Sequence, residues 1–457
     1  MKRNGISLFV FRRDLRLEDN SGLIHALNSS EKVIPIFILD KYLIKNKNLS
    51  FNAKQFLKDS VLDLLHKFNM NNSRLFIYHD KPEIIIKDLL NREALGIDRL
   101  IMNRDYTPYS HRRDTKIRRI CSNTGTKLII TADLLLNEPE VVKKGDRTPY
   151  SIFTPFFKKS QIFLVNEPVK APKNTYYNDE LFDTISMDQL REILNYYNPN
   201  IWVKGGRTKG LELLDQIQNH KNYQEQRDFP AITGTTHLSA HLKFGTVSIR
   251  EVYHAIKQSG NYALLRQLYW RDFYIYIGFH FPHVFNGSFR PKYDKLDWTN
   301  DKGLFQAWCE GKTGFPIVDA GMRQLNATGW MHNRVRMIVA SFLTKDLLIN
   351  WQLGEKYFKE KLVDYDISVN NGNWQWAAST GCDPVPYFRI FNPWLQQKKF
   401  DPQCDYIKQY IPELRGYDPK IIHNLYQKHP KDLEDYPYPI VDHKIMREKA
   451  KTMFKTI

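Results

Sequence analysis

The stretch 364–380 holds the side chains of this sequence that are best suited to chemistry. It reads Asp-Tyr-Asp-Ile-Ser-Val-Asn-Asn-Gly-Asn-Trp-Gln-Trp-Ala-Ala-Ser-Thr. Acids and amides usually lie on a solvated loop, whereas tryptophan usually lies in a core or at a binding surface. The mixture indicates a pocket for a flat aromatic ligand. A loop with two structural tryptophans explains the same residues equally well, so other segments must decide.

Hydroxyl groups are concentrated at residues 235–239, Thr-Thr-His-Leu-Ser, shortly before a predicted helix. Such a cluster holds a phosphate or simply caps the helix. Further along, Asn333 and Met337 are four residues apart on a predicted helix and therefore share one face. These two segments are the next candidates for a binding site.

Arginines at 334 and 336 point away from that shared face. An arginine near Asp364 or Asp366 can form a bidentate ion pair, either in a site or on the surface. Eight of the nine tryptophans lie in the same half of the chain, and tryptophans are more often core residues than reactive ones. Six of the eight are candidates here: Trp270, Trp298, Trp330, Trp351, Trp374 and Trp376.

Metal chemistry is not expected, because the sequence has no His-rich ligand spacing. Residues 310–313 resemble the end of a phosphate-binding loop, but no strand precedes them and the first glycine is missing. Residues 364–368 resemble a calcium loop without its glycine. The four cysteines are far apart, which predicts free thiols in a reducing compartment: Cys121, Cys309, Cys382 and Cys404.

The formal net charge of +17 favours a polyanionic partner, with nucleic acid first and an anionic membrane second. An AT-rich genome would enrich lysine without any such function. No apolar run reaches the roughly 18 residues needed to span a bilayer, so we expect no membrane protein. The N-terminus predicts a first strand rather than a signal peptide. We expect a protein that is not secreted and acts in the cytoplasm or nucleoid, or in a nucleus.

An open parallel sheet must position the first part of the chain. Buried strands are predicted at 6–11, 33–39, 74–78, 99–102 and 127–130, with helices at 56–68 and 82–90 between them. The region lacks the glycine fingerprint of dinucleotide-binding sheets. The predicted fold class is an α/β N-terminal domain (residues 1–130, an open, Rossmann-like sheet), a linker (131–203) and an all-α C-terminal domain (204–457).

Several longer motifs are more specific than any of these patterns. They are Phe11-Arg-Arg-Asp-Leu-Arg-Leu-Glu-Asp-Asn, Tyr223-Gln-Glu-Gln-Arg-Asp-Phe-Pro, Thr235-Thr-His-Leu-Ser, Leu268-Tyr-Trp-Arg-Asp-Phe-Tyr, Glu310-Gly-Lys-Thr-Gly-Phe-Pro-Ile-Val-Asp-Ala, Thr328-Gly-Trp-Met-His-Asn-Arg-Val-Arg-Met and Asn370-Asn-Gly-Asn-Trp-Gln-Trp-Ala-Ala-Ser-Thr-Gly. In this order they resemble the photolyase/cryptochrome family, most of all the class I cyclobutane pyrimidine dimer photolyases. The resemblance spans the whole chain.

The resemblance implies an antenna domain followed by a helical domain that buries FAD. Arg336 would pair with Asp364, and Asn370 would face N5 of the flavin ring. The residues implied to bind FAD are Tyr223, Thr235, Thr236, His237, Leu238, Ser239, Asn333, Arg336, Asp364, Asp366 and Asn370. His237 stands where the family commonly has arginine.

The resemblance also implies the reaction. Excited reduced FAD would pass an electron to a cyclobutane dimer that is flipped out of UV-damaged DNA, and the electron would return after the ring splits. Trp374, Trp351 and Trp298 match the family's electron-transfer tryptophans. The residues implied to contact DNA are Arg227, Trp270, Arg271, Arg334, Trp376 and Arg389. We expect a monomer.

Gln267 departs from the glutamate of cyclobutane-dimer enzymes. Glutamine keeps a hydrogen-bond acceptor but loses the charge. Enzymes that repair (6-4) photoproducts carry glutamine here, yet they have two histidines where this chain has Asn333 and Met337. We therefore expect Gln267, Asn333 and Met337 to act on cyclobutane dimers. The alternatives are a (6-4) photolyase and a blue-light-receptor cryptochrome without repair.

A second chromophore is implied by residues 103–114, which resemble the family's antenna-binding segment. Ser110 stands where a folate-binding glutamate is expected, which disfavours folate. A deazaflavin, a second flavin, folate and an empty site all remain open.

Overall fold

The computed structural model describes residues 5–45, 49–172 and 175–457, and these begin with a five-stranded sheet. Its strands are β1 (Ile6–Phe11), β2 (Lys32–Ile38), β3 (Phe76–Tyr78), β4 (Ile97–Asn103) and β5 (Lys127–Thr131). All neighbours pair in parallel in the order β3-β2-β1-β4-β5. The strand order reverses beside β1, so the carboxyl ends of β1 and β4 flank a crevice.

Five helices cover the two faces of the sheet: α1 (Ser21–Ser29), α2 (Lys41–Lys45), α3 (Phe51–Met70), α4 (Pro82–Asn91) and α5 (Pro108–Asn123). Apolar side chains of β1 and β2 are buried on both faces, as expected for parallel strands between helices. The predicted α/β fold is confirmed. The third strand is shorter than predicted, because Arg74 and Leu75 precede the paired residues. Residues 1–4 of the predicted first domain lie outside the described residues.

Residues 131–203 contain two helices, α6 (Phe153–Ser160) and α7 (Met187–Ile193), where the sequence predicted only a linker. Helix α7 begins with a capping box formed by Ser186 and Gln189. The segment contacts both halves of the chain: Tyr176 bridges to Val33 of the sheet, and α6 packs against the helical half. These contacts make it part of the packed structure, and the predicted domain boundaries stay a prediction.

From residue 204 onwards the described chain is helical, which confirms the predicted all-α half. Its helices are α8 (Arg207–Asp215), α9 (Tyr223–Gln226), α10 (Ser239–Phe244), α11 (Ile249–Gln258), α12 (Tyr262–His280), α13 (Lys302–Glu310), α14 (Pro316–Thr328), α15 (Asn333–Ser341), α16 (Trp351–Lys361), α17 (Ile367–Ala378), α18 (Pro393–Phe400), α19 (Asp405–Tyr410), α20 (Pro419–Ile422) and α21 (His443–Lys455). A π-helical segment, Phe342–Asp346, follows α15. No helix in the described ranges is both long and apolar enough to cross a membrane.

The segment after β1 joins the two halves. Arg16 binds Asp133 at 2.6 Å, and Arg250 of α11 binds both Asp133 and Asp19 at 2.8 Å. Gly245 ends α10 with a φ of +66°, and a Cβ atom there would overlap the backbone of Arg13. The left-handed conformation and the close approach both require glycine. The helical half is therefore fixed against the carboxyl edge of the sheet.

Candidate functional site

A cavity of about 460 Å³ lies in the helical half, and it brings together most of the residues predicted from the sequence. The predicted residues that line it are Tyr223, Arg227, Thr235, Thr236, His237, Leu238, Ser239, Gln267, Trp270, Arg271, Asn333, Arg336, Met337, Asp364, Asp366, Asn370, Trp374 and Trp376. Four predicted residues are not part of the lining: Trp298, Arg334, Trp351 and Arg389. Residues from 223 to 377 thus converge on one site.

Arg336 and Asp364 form the ion pair expected from the sequence. The guanidinium Nη2 lies 3.0 Å from Oδ2 of Asp364 and 3.3 Å from Oδ1. Arg336 also donates from Nε to the carbonyl of Met331, and the Ser239 hydroxyl donates to Asp364 at 2.7 Å. Because each partner has a second bond, the planar guanidinium is held in one orientation at the cavity wall.

Asp366 lines the cavity, but its carboxylate has two structural roles that the sequence did not predict. Oδ1 accepts the N–H groups of Ser368 and Val369 and so caps the first turn of α17. Oδ2 binds Arg13 of the N-terminal half at 2.5 Å, and Arg13 also binds Asp105 after β4. The start of α17 is therefore fastened to the carboxyl edge of the sheet.

Cations surround Asp366 and control its charge. Burial alone would raise the pKa of Asp366, but the charges of Arg13, Lys243 and Arg271 outweigh it and hold this pKa at about 2. Burial and the charge of Arg13 lower the pKa of Lys243 to about 8, while Asp366 and Asp105 oppose this shift. Near neutral pH, the three cations therefore lie among acidic partners, since Arg13 also binds Asp105 and Arg271 also binds Asp272.

Asn370 lies one turn into α17 and donates its amide N–H to the carbonyl of Glu355 at 3.2 Å. This bond assigns the nitrogen to the protein and leaves the amide oxygen as an acceptor. The Glu355 carboxylate accepts a hydrogen bond from Asn371, and burial raises the pKa of Glu355 to about 7. Glu355 was not among the residues predicted from the sequence to support the site.

Gln267, Asn333 and Met337 form an uncharged part of the lining. The Gln267 amide nitrogen donates to the carbonyl of Ala263 at 3.0 Å, which leaves its oxygen as the acceptor for a ligand. Asn333 donates to the Met337 sulfur at 3.8 Å, so the predicted i, i+4 pair is in contact. None of these three side chains carries a proton that titrates near neutral pH.

Trp270 and Trp376 both line the cavity and are half-buried. The Trp270 ring stacks on Phe153 of α6 with ring centroids 3.6 Å apart and planes 7° apart. Trp376 follows Trp374 by two positions on α17. The two side chains therefore point in different directions: both reach the cavity lining, but Trp374 is buried in the core while Trp376 is half-buried.

Trp374 packs against α16, the helix that begins with Trp351. A Cβ atom on Gly354 would overlap the Trp374 ring, so the glycine permits this contact. Trp351 is buried, while Trp298 is half-buried and meets the edge of Phe454 of α21. Trp374 and Trp351 are thus buried on α17 and α16, and Trp298 is the most exposed of the three.

His237 does not replace the charge of the arginine expected at its position. Burial lowers the pKa of His237 to about 4, so the imidazole is neutral near neutral pH. Its Nδ1 accepts the indole N–H of Trp202 at 3.2 Å, and the residue has a φ of +54°. The hydroxyl groups of residues 235–239 line the cavity without a cation at this position.

The predicted DNA-contacting arginines have different environments. Arg227 lines the cavity over the Tyr223 ring, and Arg334 binds Asp228 at 2.7 Å beside it. Arg389 lies exposed on the loop after α17. Arg271 lines the cavity, and its guanidinium donates inward to the carbonyl of Leu134, so its predicted contact with DNA stays a prediction. A side chain bound to backbone in this way is not a free surface cation.

Arg13, Lys243, Glu355 and Phe153 were absent from the residues predicted for the site. Arg13 lies in a motif that was quoted, but nothing local indicates a partner 353 positions away. Lys243 is within a short helix just after residues 235–239, and this proximity was the one usable signal. Among the described residues, no group of three or more His, Cys, Asp or Glu side chains could hold a metal ion.

Comparisons with known proteins agree with this arrangement. The family description "DNA photolyase" matches residues 7–173, and "FAD binding domain of DNA photolyase" matches residues 264–456. A deoxyribodipyrimidine photo-lyase from Synechococcus is 36% identical over 98% of this chain and 96% of its own length. Both halves of the chain are therefore similar to the corresponding parts of DNA photolyases.

Solved structures give the same result. An archaeal photolyase from Sulfolobus tokodaii, described with two FAD molecules, is 40% identical with a TM-score of 0.89, covering 99% of this chain and all of its own. A class III photolyase from Agrobacterium tumefaciens is 34% identical with a TM-score of 0.92, covering 100% and 98%.

Proposed function

The chain belongs to the photolyase/cryptochrome family, and we propose that it uses light to split cyclobutane pyrimidine dimers in DNA. It is a photolyase, a flavoprotein enzyme of DNA repair with FAD as its cofactor. One observation carries the choice of substrate. The uncharged group of Gln267, Asn333 and Met337 lines the same cavity as the two tryptophans and the residues proposed to bind FAD.

The cavity suits FAD in its donor groups. The hydroxyl groups of Thr235 and Thr236 would hold the phosphates, and Ser239, whose hydroxyl already donates to Asp364, would contribute its backbone N–H. Arg336 would lie beside the flavin ring. When bound and reduced, FAD supplies the photoexcited electron that opens the cyclobutane ring.

Asn370 would face the flavin ring with its amide oxygen, because its nitrogen is already bonded to Glu355. The helix that carries Asn370 is capped by Asp366, and Asp366 is held by Arg13. Such a chain of bonds keeps a polar contact in place without paying reorganisation during the reaction. We propose that this is what makes the site rigid.

The lesion would lie against Trp270 and Trp376, since flat apolar side chains stack on bases taken out of the helix. The Gln267 oxygen would accept the N3–H group of a pyrimidine. Asn333 and Met337 offer polar and apolar contact but no acid that could protonate a substrate. This favours a cyclobutane dimer, whose splitting requires no net proton transfer, over a (6-4) photoproduct.

Damaged DNA would be held by its phosphates outside the cavity. Arg227, Arg334 and Arg389 are the proposed contacts, and the net charge of +17 supports an electrostatic contribution. The inward bonds of Arg271 leave it out of this group and give it the role of a positive charge beside Asp366. We propose that the protein acts as a monomer wherever the cell keeps its DNA.

Trp374, Trp351 and Trp298 are proposed to deliver electrons to oxidised FAD. Replacing Trp298 with phenylalanine is expected to reduce light-driven reduction of the bound FAD to background, because phenylalanine is much harder to oxidise than indole. Repair by chemically reduced enzyme should be unchanged. Absorbance spectra under illumination measure the first and a repair assay the second. Unchanged photoreduction would remove Trp298 from the route.

The sheet edge is the proposed place for a second chromophore. Ser110 is buried there and donates to Asp105 at 2.8 Å, and as a neutral hydroxyl it cannot replace the glutamate expected for a folate. The Sulfolobus relative, which is described with two FAD molecules, supports a flavin as the second chromophore. Absorbance of the released chromophores would identify it.

The decisive experiment is light-dependent repair of two duplexes, one with a cyclobutane thymine dimer and one with a (6-4) photoproduct. We expect repair of the first alone. Repair of the second alone would show that Gln267 marks a (6-4) enzyme. Repair of neither by reduced, FAD-loaded protein would indicate a light receptor. An undamaged duplex in the same light is the control.

A further inference from the structure

Helix α6 covers one face of Trp270, although this helix lies in the segment predicted to be a linker. Phe153, its first residue, is 1% exposed and stacks directly on the indole. Aromatic pairs prefer offset or edge-to-face arrangements, so a direct overlap at 3.6 Å must be held by its surroundings. Trp270 also lines the cavity, which therefore meets the ring away from Phe153.

Two contacts hold Phe153 in this position. The guanidinium of Arg266 lies 5.2 Å from the Phe153 ring, which gives a favourable cation–π contact. The carboxylate of Asp383 accepts the Phe153 N–H at 3.0 Å. Helix α6 has no side-chain cap of its own, because Ile152 stands at its N-cap. Asp383 therefore provides the missing acceptor.

The loop after α17, which contains Asp383, is also bonded to Trp376, the second tryptophan of the cavity. Asp383 follows the end of α17, and the N–H of Val385 donates to the carbonyl of Trp376 at 3.3 Å. This loop is therefore bonded to both sides of the cavity. Asp383 holds Phe153, which lies behind Trp270, and Val385 binds the backbone of Trp376. The separation of the two indoles is tied to this short loop.

We propose that Phe153 is a positioning residue, which holds the Trp270 ring at the orientation that a flipped pyrimidine dimer requires. This rests on the proposed function, in which Trp270 contacts the lesion. Without the Phe153 ring, Trp270 can tilt toward the vacated space and present its edge instead of its face. Stacking on the lesion is then weakened, while phosphate contacts made elsewhere are unaffected.

The test compares two leucine variants on one helix. Phe153→Leu removes the ring behind Trp270. Phe157→Leu removes a ring that contacts Phe153 and Tyr269 but not Trp270, and it serves as the matched control. Dissociation constants are measured in the dark for one duplex with a central thymine dimer and for the same duplex undamaged. Thermal melts verify that each variant folds.

We expect Phe153→Leu to weaken binding of the dimer duplex about tenfold, within the range for losing one base–aromatic stack, and to leave undamaged DNA unchanged. Phe157→Leu should match the wild type. In a Trp270→Ala background the Phe153 substitution should have no further effect, because its action passes through Trp270. If Phe153→Leu does not fold, Phe153→Met removes the planar ring while its flexible, unbranched side chain adapts to the space that the ring leaves.

Other results overturn the proposal. Equal weakening of both duplexes would mean a general effect on DNA binding, and equal effects of the two leucine variants would mean ordinary core packing. If Phe153→Leu weakens dimer binding further in the Trp270→Ala background, Phe153 does not act through Trp270. A wild-type protein that does not distinguish the dimer duplex from undamaged DNA would contradict the proposed function itself. If the wild type prefers the dimer duplex and neither Phe153 substitution changes this preference, only the positioning role of Phe153 is contradicted.

Discussion

The cavity and the carboxyl edge of the sheet both collect polar side chains from distant segments, but they use them differently. At the sheet edge, Arg12 binds Asp114 at 2.8 Å and Tyr109 donates to Asp40, so charge is matched within the protein. In the cavity, Gln267 donates its N–H to the backbone and its oxygen remains an acceptor. The matched groups of the sheet edge hold the structure together and would only surround a second chromophore, whereas the half-used amides of the cavity indicate where a ligand completes the bonding.

Arg13 connects these two regions. It binds Asp105 at the sheet edge and Asp366 at the cavity, and its neighbour Arg12 binds only at the edge. The connection means that the sheet does more than pack beside the helical half. It fastens the first turn of α17, the helix that carries Asn370 and both tryptophans of the segment 364–380. Substituting one charged residue at a time in the cavity or at the sheet edge distinguishes the two regions.

The largest effect is expected at the cavity. Asp364→Asn leaves Arg336 without a negative partner, so the guanidinium is no longer held in one orientation at the cavity wall. We expect FAD to bind about 100-fold more weakly, which corresponds to about 3 kcal/mol of binding free energy. Titration of the apoprotein with FAD, followed by flavin fluorescence, measures the change.

The control for Asp364→Asn is Glu413→Gln. Glu413 forms an ion pair with Arg323 at 2.8 Å away from the cavity lining. FAD affinity should be unchanged in this variant. Equal losses in both would mean that FAD binding follows overall stability and that the Arg336–Asp364 pair has no special place in the site.

Arg13→Gln should have a smaller effect that reaches both regions. Loss of the pairs with Asp105 and Asp366 is expected to lower the free energy of unfolding by about 2 kcal/mol. Because α17 then loses part of its support, FAD affinity should fall as well. Arg12→Gln should lower stability by a similar amount and leave FAD affinity unchanged. Urea denaturation measures the free energy of unfolding, and titration with FAD measures the affinity. If Arg12→Gln lowers FAD affinity as much as Arg13→Gln does, the two regions do not differ in the way proposed.

The dependence on pH separates the same two variants. In the folded protein the pKa of Asp366 is about 2, below the value of about 4 for a free aspartate. Its charged form therefore stabilises the fold above pH 4, and this stability is lost as the pH falls from about 4 to about 2. Arg13→Gln removes a cation and raises this pKa towards the free value, so the stability lost below about pH 4 should be smaller and the loss should be complete at a higher pH. Arg12→Gln should keep the wild-type profile for this group.

The smallest effect is expected at Gln267. A carboxylate cannot donate to the Ala263 carbonyl, so Gln267→Glu should turn the side chain and change dimer affinity by only about fivefold, which corresponds to one hydrogen bond of about 1 kcal/mol. Gln267→Met removes the acceptor while preserving the length. If Gln267→Met binds the dimer duplex as the wild type does, the amide oxygen has no role in recognition.

Much of this arrangement could be predicted from the sequence. The parallel strands, the helical half and the Arg336–Asp364 pair follow from short-range periodicity and from long motifs. The different directions of Trp374 and Trp376 follow from helical geometry, because residues two positions apart lie on different faces. The inward bond of Arg271 could not be predicted, since its motif position gives no sign that the guanidinium turns toward the carbonyl of Leu134.

The sequence by itself determined which side chains are present, how each helix and strand is patterned, and which family the motifs resemble. Only the tertiary structure decided that Arg13 holds Asp366, that Phe153 lies behind Trp270, and which atom of Gln267 remains an acceptor. The physical reason is range. Periodicity acts over one or two helical turns, whereas an ion pair across 353 positions depends on the path of the whole chain. With 67 basic and 50 acidic residues, the sequence allows too many pairings for charge alone to choose one.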